Sequence, residues 1–150
     1  MKAKPETEVR IIYNRAGFES KVGHPVRTKM EAKVCDWLMS HRIAHRHASE
    51  IFTVRVGPAG MPAVYVPDII LHDRDKSGRT VIIEPFEAYT PKAGSTRIIA
   101  TFRKEMQKDY YVIIITKKNQ VGKILKDAYD VMLDIDRLDE LEKKLPQAPR

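Results

Sequence analysis

The chain has 150 residues, with 27 Lys+Arg against 20 Asp+Glu for a formal charge of +7, 43% hydrophobic residues and one cysteine. A chain of this length usually folds as one domain and buries roughly 70% of its unfolded-state surface, so neither disulfide nor metal is needed to hold it together. One cysteine excludes an intrachain disulfide, a CxxC redox pair and a four-cysteine zinc site, and no apolar run approaches the roughly 18 residues of a membrane span. The opening MKAKPETEVR lacks the apolar core of a signal peptide, so the expectation is an intracellular, cytoplasmic protein without a membrane partner. The excess of positive charge points to an anionic partner such as nucleic acid, through long-range attraction and counterion release.

Residues 1–25 are polar and irregular, with a short strand expected at 9–13 and Gly17, Gly23 and Pro25 as breakers. They read as a basic arm or edge element ahead of a domain covering 26–150. Thr28 and Glu31 form a capping box, and Val34, Trp37, Leu38 and His41 follow at helical spacing, so a helix should run to about residues 40–42. Cys35, beside that stripe, reads as a small buried hydrophobe. Residues 51–56 alternate as a strand, 57–60 turn, and 64–71 form the next strand. After a turn at 73–78 comes a strand at 80–86, whose Val81, Ile82 and Ile83 are continuously apolar, as in a buried central strand. Ser95 or Thr96 caps a helix carrying Ile98, Ile99, Phe102 and Met106 on one face. A strong strand follows at 110–116, then a helix at 119–129, a short strand at 131–133 and a terminal helix at 137–145. The core order α-β-β-β-α-β predicts an α/β domain: a mixed β-sheet flanked by helices, antiparallel at the tight turns and parallel across the helical connection.

Two acids sit where acids are costly. Asp68 interrupts the run from Val64 to Leu71, and Glu84 follows Val81, Ile82 and Ile83. A turn centred near residue 76 pairs positions summing to about 152, and Asp68 and Glu84 have that sum. The hairpin would then set two carboxylates side by side, about 5 Å apart at Cβ. Their mutual repulsion disappears if a divalent cation sits between them, and hard cations such as Mg2+ take carboxylate oxygens. A one-residue slip would send the acids to opposite faces, and an arginine pair or a turn cap is the structural alternative.

Pro67-Asp68, fifteen residues, then Glu84 after three apolar β-branched residues resembles the PD-(D/E)xK nuclease superfamily over about residues 28–117. The resemblance implies a restriction-endonuclease-like fold and Mg2+-dependent (or Mn2+-dependent) hydrolysis of DNA phosphodiesters, with RNA as the other polymer and a homodimer as a family analogy. Asp68 and Glu84 match the acids that hold metal, Glu31 matches a first-helix glutamate that assists the metal shell, and the Pro85 carbonyl matches a backbone ligand. The lysine expected two residues after the second acid is replaced by Phe86. Its function could have moved to Lys92, Arg97, Lys104 or Lys108 around the following helix. Otherwise the chain is a catalytically inactive module of the same fold that binds nucleic acid or a protein. Lys92, Arg97, Lys117 and Lys118 are the expected contacts to a polynucleotide backbone, and Tyr65, Tyr89, Tyr110 and Tyr111 are candidates for stacking on bases against a simpler role in packing. His41, His45 and His47, spaced four and then two, read as the solvated end of the first helix rather than as zinc ligands.

Overall fold

The computed structural model describes residues 18–19, 25–26, 28–74, 78–87 and 96–145. The strand expected at 9–13 therefore lies outside the described residues. In chain order the elements are β1 (Phe18–Glu19), β2 (Pro25–Val26), α1 (Lys29–Ser40), β3 (His45–His47), β4 (Phe52–Val56), β5 (Met61–Tyr65), β6 (Ile69–Arg74), β7 (Thr80–Pro85), α2 (Thr96–Met106), β8 (Tyr110–Thr116), β9 (Val131–Asp134) and α3 (Leu141–Lys144).

A mixed five-stranded sheet in the order β3-β6-β7-β8-β9 forms the centre, and two antiparallel ribbons, β1-β2 and β4-β5, lie apart from it. Tight connection makes β6-β7 antiparallel, and passage through α2 makes β7-β8 parallel. β8-β9 is also parallel, and β3 pairs antiparallel with β6. The protein is thus an α/β domain. Among the described residues no helix is long and apolar enough to cross a membrane.

Alternation along the strands sorts the core into two layers. Ile69, Leu71, Val81, Ile83, Ile113, Ile115 and Leu133 face α1, which contributes Met30, Val34 and Leu38. Ile70, Ile82, Phe86, Val112 and Ile114 face the other way, against Ile99 and Phe102 of α2 and Val54 and Tyr65 of the β4-β5 ribbon. Burial of both faces explains why β7 and β8 read as unbroken apolar runs. α1 starts where expected, with the Thr28 hydroxyl accepting from the Glu31 N–H at 3.0 Å.

Four expectations are corrected. The run 64–71 is not one strand: β5 ends at Tyr65 and β6 begins at Ile69, with Val66, Pro67 and Asp68 between them. Pro67 has no N–H to donate to a ladder, and the break lets β5 leave the main sheet and join β4 over α2. The segment at 119–129 is two 3₁₀ turns, Lys118–Lys123 and Lys126–Ala128, and the first buries no residue that could reward a longer helix. The terminal helix is a 3₁₀ segment, Ile135–Glu140, kinked at Arg137, followed by the single turn α3. Finally, His45–His47 is not a helix end but the edge strand of the main sheet.

Candidate functional site

The β6-β7 register pairs Ile69 with Ile83 and Ile70 with Ile82. Asp68 and Glu84 are the residues next beyond the Ile69–Ile83 pair. Strand alternation aims Glu84 toward the α2 face, since Ile82 and Phe86 face that layer. Asp68 and Glu84 are each about 1% exposed, a depth at which carboxylates require hydrogen bonds or a counter-cation.

Glu84 Oε2 accepts a hydrogen bond from the Tyr65 hydroxyl and another from the Asp68 backbone N–H at 3.3 Å. The main-chain bond ties the two acidic positions directly together. Asp68 is fixed from its other side as well, because its carbonyl accepts from Ala48 N at 3.1 Å. Tyr65 is 2% exposed and its ring packs on Phe102 at 4.7 Å between centroids. It is therefore a positioning group for Glu84 rather than a stacking platform. Tyr110 likewise packs on Phe52 and Phe102, and Tyr111 lies under the Arg79 guanidinium at 4.7 Å. Tyr89 lies outside the described residues.

Phe86, at the position where the resemblance calls for lysine, is 1% exposed in the α2-side core. Its backbone prolongs the β7-β8 pairing past Pro85: Phe86 N donates to the Ile115 carbonyl at 2.8 Å, and Thr116 Oγ1 donates to the Phe86 carbonyl at 2.9 Å. A lysine there would be driven into an apolar layer. Of the suggested basic replacements, Arg97, Lys104 and Lys108 are exposed on or just beyond α2, and Lys92 lies outside the described residues. Lys117 and Lys118 are exposed, and Lys118 lines an open pocket of about 430 Å³ with Asp134, Arg137 and Glu140. Arg103, which the sequence did not single out, donates to Asp130 Oδ1 at 2.8 Å and to the Asp127 carbonyl at 3.2 Å. The hydrogen bond to Asp130 raises its pKa above the usual arginine value.

Glu31 has a partner on β3. α1 packs on the opposite face of the sheet from Glu84, and Glu31 Oε2 accepts from His47 Nδ1 at 2.8 Å. Glu31 is thus tied to β3 through His47, from a helix that packs on the other face of the sheet from the Glu84–Tyr65 pair. Helical spacing sets Glu31 and Cys35 one turn apart on one α1 face, both buried.

That face carries a second group. His45 and His47, two residues apart on β3, project to one side toward α1. Their Nε2 atoms lie 3.3 and 3.2 Å from Cys35 Sγ. Cys35, His45 and His47 bring their ligand atoms within 4.8 Å of one another and could hold a metal ion. His41 takes no part, being exposed and stacked on Trp37 at 3.8 Å. The sequence set His45 and His47 aside with His41 as a helix end and did not join them to Cys35, although Glu31 and Cys35 have helical spacing. Tyr65 was missed as the Glu84 donor, since nothing local ties a residue 19 positions upstream to that carboxylate.

No protein-family model, curated protein or solved structure matches the chain.

Proposed function

We propose that Asp68 and Glu84 hold a divalent cation for phosphodiester hydrolysis in DNA, on a scaffold of the restriction-endonuclease-like type. The observation that carries this reading is the juxtaposition of two buried acidic residues across the β6-β7 hairpin, with the Asp68 N–H bonded to the Glu84 carboxylate. The donor set is hard oxygen, which suits Mg2+ or Mn2+. The Pro85 carbonyl, next along β7, is the backbone candidate for the same shell. Such a cation supplies Lewis acidity toward a phosphoryl oxygen and a bound water. The chain's own part is to orient Glu84 through Tyr65 and Asp68 N, and to wall the α2 side with Phe86 and Phe102. Arg97, Lys104, Lys108, Lys117 and Lys118 provide exposed cations for a polyanionic backbone.

One observation favours a second reading. Phe86 is locked in the core where the resemblance calls for lysine, so the same scaffold could bind nucleic acid without cutting it. The deciding experiment is cleavage of duplex, single-stranded and branched DNA, and of RNA, with and without Mg2+. Under the first reading Asp68→Asn and Glu84→Gln each reduce metal-dependent cleavage on the order of 100-fold or more. Cleavage that persists unchanged in both variants rejects the site. Salt-dependent binding without any cleavage selects the second reading.

A further inference from the structure

We propose that Cys35, His45 and His47 form a zinc-binding site that clamps α1 to the edge strand β3, on the opposite face of the sheet from the Glu84–Tyr65 pair. The ring nitrogens are already sorted for this role. His45 Nδ1 lies 2.9 Å from the Ile43 carbonyl, an oxygen that can only accept, so Nδ1 carries the proton. His47 Nδ1 lies 2.8 Å from Glu31 Oε2, which assigns the same tautomer. Both Nε2 lone pairs then point at one sulfur. Metal-bound histidines commonly show this arrangement, with the far nitrogen held by a carboxylate or a carbonyl.

Two Nε2 acceptors face a thiol that has one proton to donate, and the sulfur is a weak partner in either contact. A divalent ion resolves the conflict by accepting from both imidazoles and from the thiolate, the thiol proton passing to solvent. Tetrahedral zinc with ordinary Zn–S and Zn–N bonds sets S and N about 3.6 Å apart, a few tenths of an ångström more than the 3.3 and 3.2 Å here, and all three ligand atoms lie within 4.8 Å of one another. One thiolate and two imidazoles form a borderline-soft set that favours zinc over magnesium. Three protein donors leave one position for water or another small ligand.

The competing use of these residues is a nucleophilic relay, Cys35 to His47 to Glu31. Cys35 is 0% exposed, which bars a substrate from the sulfur. A relay also has no use for a second imidazole at the same distance. The metal reading employs all four groups.

The test is zinc content and Co2+ substitution on the full chain. Purified protein should retain one zinc per chain through dialysis and release it to a strong chelator. The Co2+ form should show the absorption of a tetrahedral site with a thiolate-to-metal charge-transfer band. Cys35→Ser should abolish that band, His47→Gln should weaken zinc binding, and Glu31→Gln should weaken it about 10–100-fold as an outer-shell change. Asp68→Asn should leave zinc content and the cobalt spectrum unchanged. Should Cys35→Ser fail to fold, the wild-type cobalt spectrum and His47→Gln decide the matter. Folded wild-type protein that takes up no stoichiometric zinc overturns the proposal, as does undiminished uptake by folded Cys35→Ser or His47→Gln.

Discussion

Replacing Tyr65 by Phe removes a single oxygen from the centre of the acid site and leaves the ring against Phe102. That hydroxyl donates to Glu84 Oε2 in a location where Tyr65 and Glu84 are 2% and 1% exposed. A hydrogen bond to a charged acceptor contributes about 1.5–3 kcal/mol. For a chain of this length each kcal/mol shifts Tm by about 2–4 °C, so Tyr65→Phe should lower it by about 3–12 °C. The ring packing is retained, so the loss belongs to the carboxylate and not to a cavity. A double-mutant cycle with Glu84→Gln isolates it and should give a coupling of about 1–2 kcal/mol by urea denaturation. If the pair also holds a divalent cation, Mg2+ should stabilise the wild type by mass action. Tyr65→Phe should then weaken that Mg2+ dependence about 10–100-fold. A Tyr65→Phe variant within about 0.5 kcal/mol of wild type, with no coupling to Glu84, would refute the claim that the phenol orients this carboxylate.

Asp130 is a comparable junction on the α2 side, accepting from Arg103 at 2.8 Å and from the Val112 N–H at 2.8 Å. Asp130→Ala should cost about 1–3 kcal/mol by denaturant unfolding, because it leaves a strand N–H and a partly buried guanidinium without their acceptor. Since Asp130 raises the Arg103 pKa, the stability that Arg103 contributes is fully present below its unfolded pKa and is lost only as pH rises through the raised one. The stability difference between wild type and Arg103→Met should therefore be the same at pH 7 and pH 9. Thr28→Ala removes the cap on the Glu31 N–H and should cost about 1 kcal/mol, read as a lower urea midpoint at unchanged m-value.

What the sequence revealed follows from which interactions are local. The Asp68–Glu84 juxtaposition was legible from the sum of positions, since Ile69 pairs with Ile83, although the register shifts between Ile70 and Arg74, which the sequence did not show. The cap at Thr28 and the apolar face of α2 were legible because they are set within one or two turns of chain. The strand identity of His45–His47 was not. Three residues with no apolar alternation carry no strand signal, and their conformation is set by pairing with Leu71, Ile70 and Ile69 of β6. The break at Pro67 was hidden inside a continuous apolar run because β5 and β6 both need such residues for different partners. The Glu31 carboxylate is the clearest case. Its backbone position within the helix was predicted, yet its chemistry depends on a histidine 16 residues away on another element.

One strand joins the two candidate groups of side chains. β6 pairs on one side with β3, through Ile69 and His47, and on the other with β7, through Ile69 and Ile83. Ala48 follows His47 directly, adopts a positive φ of 48°, and donates its N–H to the Asp68 carbonyl. For a residue with a Cβ, that left-handed conformation costs about 1–2 kcal/mol, so the surrounding contacts must hold it. The same peptide region that turns the His-Arg-His strand out of the sheet therefore anchors the backbone of Asp68. The sheet also separates the two groups, with Cys35, His45, His47 and the Glu31 carboxylate on the α1 side and the Glu84–Tyr65 pair on the α2 side. The two proposed cation sites would accordingly share no ligand, while the backbone between them is common to both.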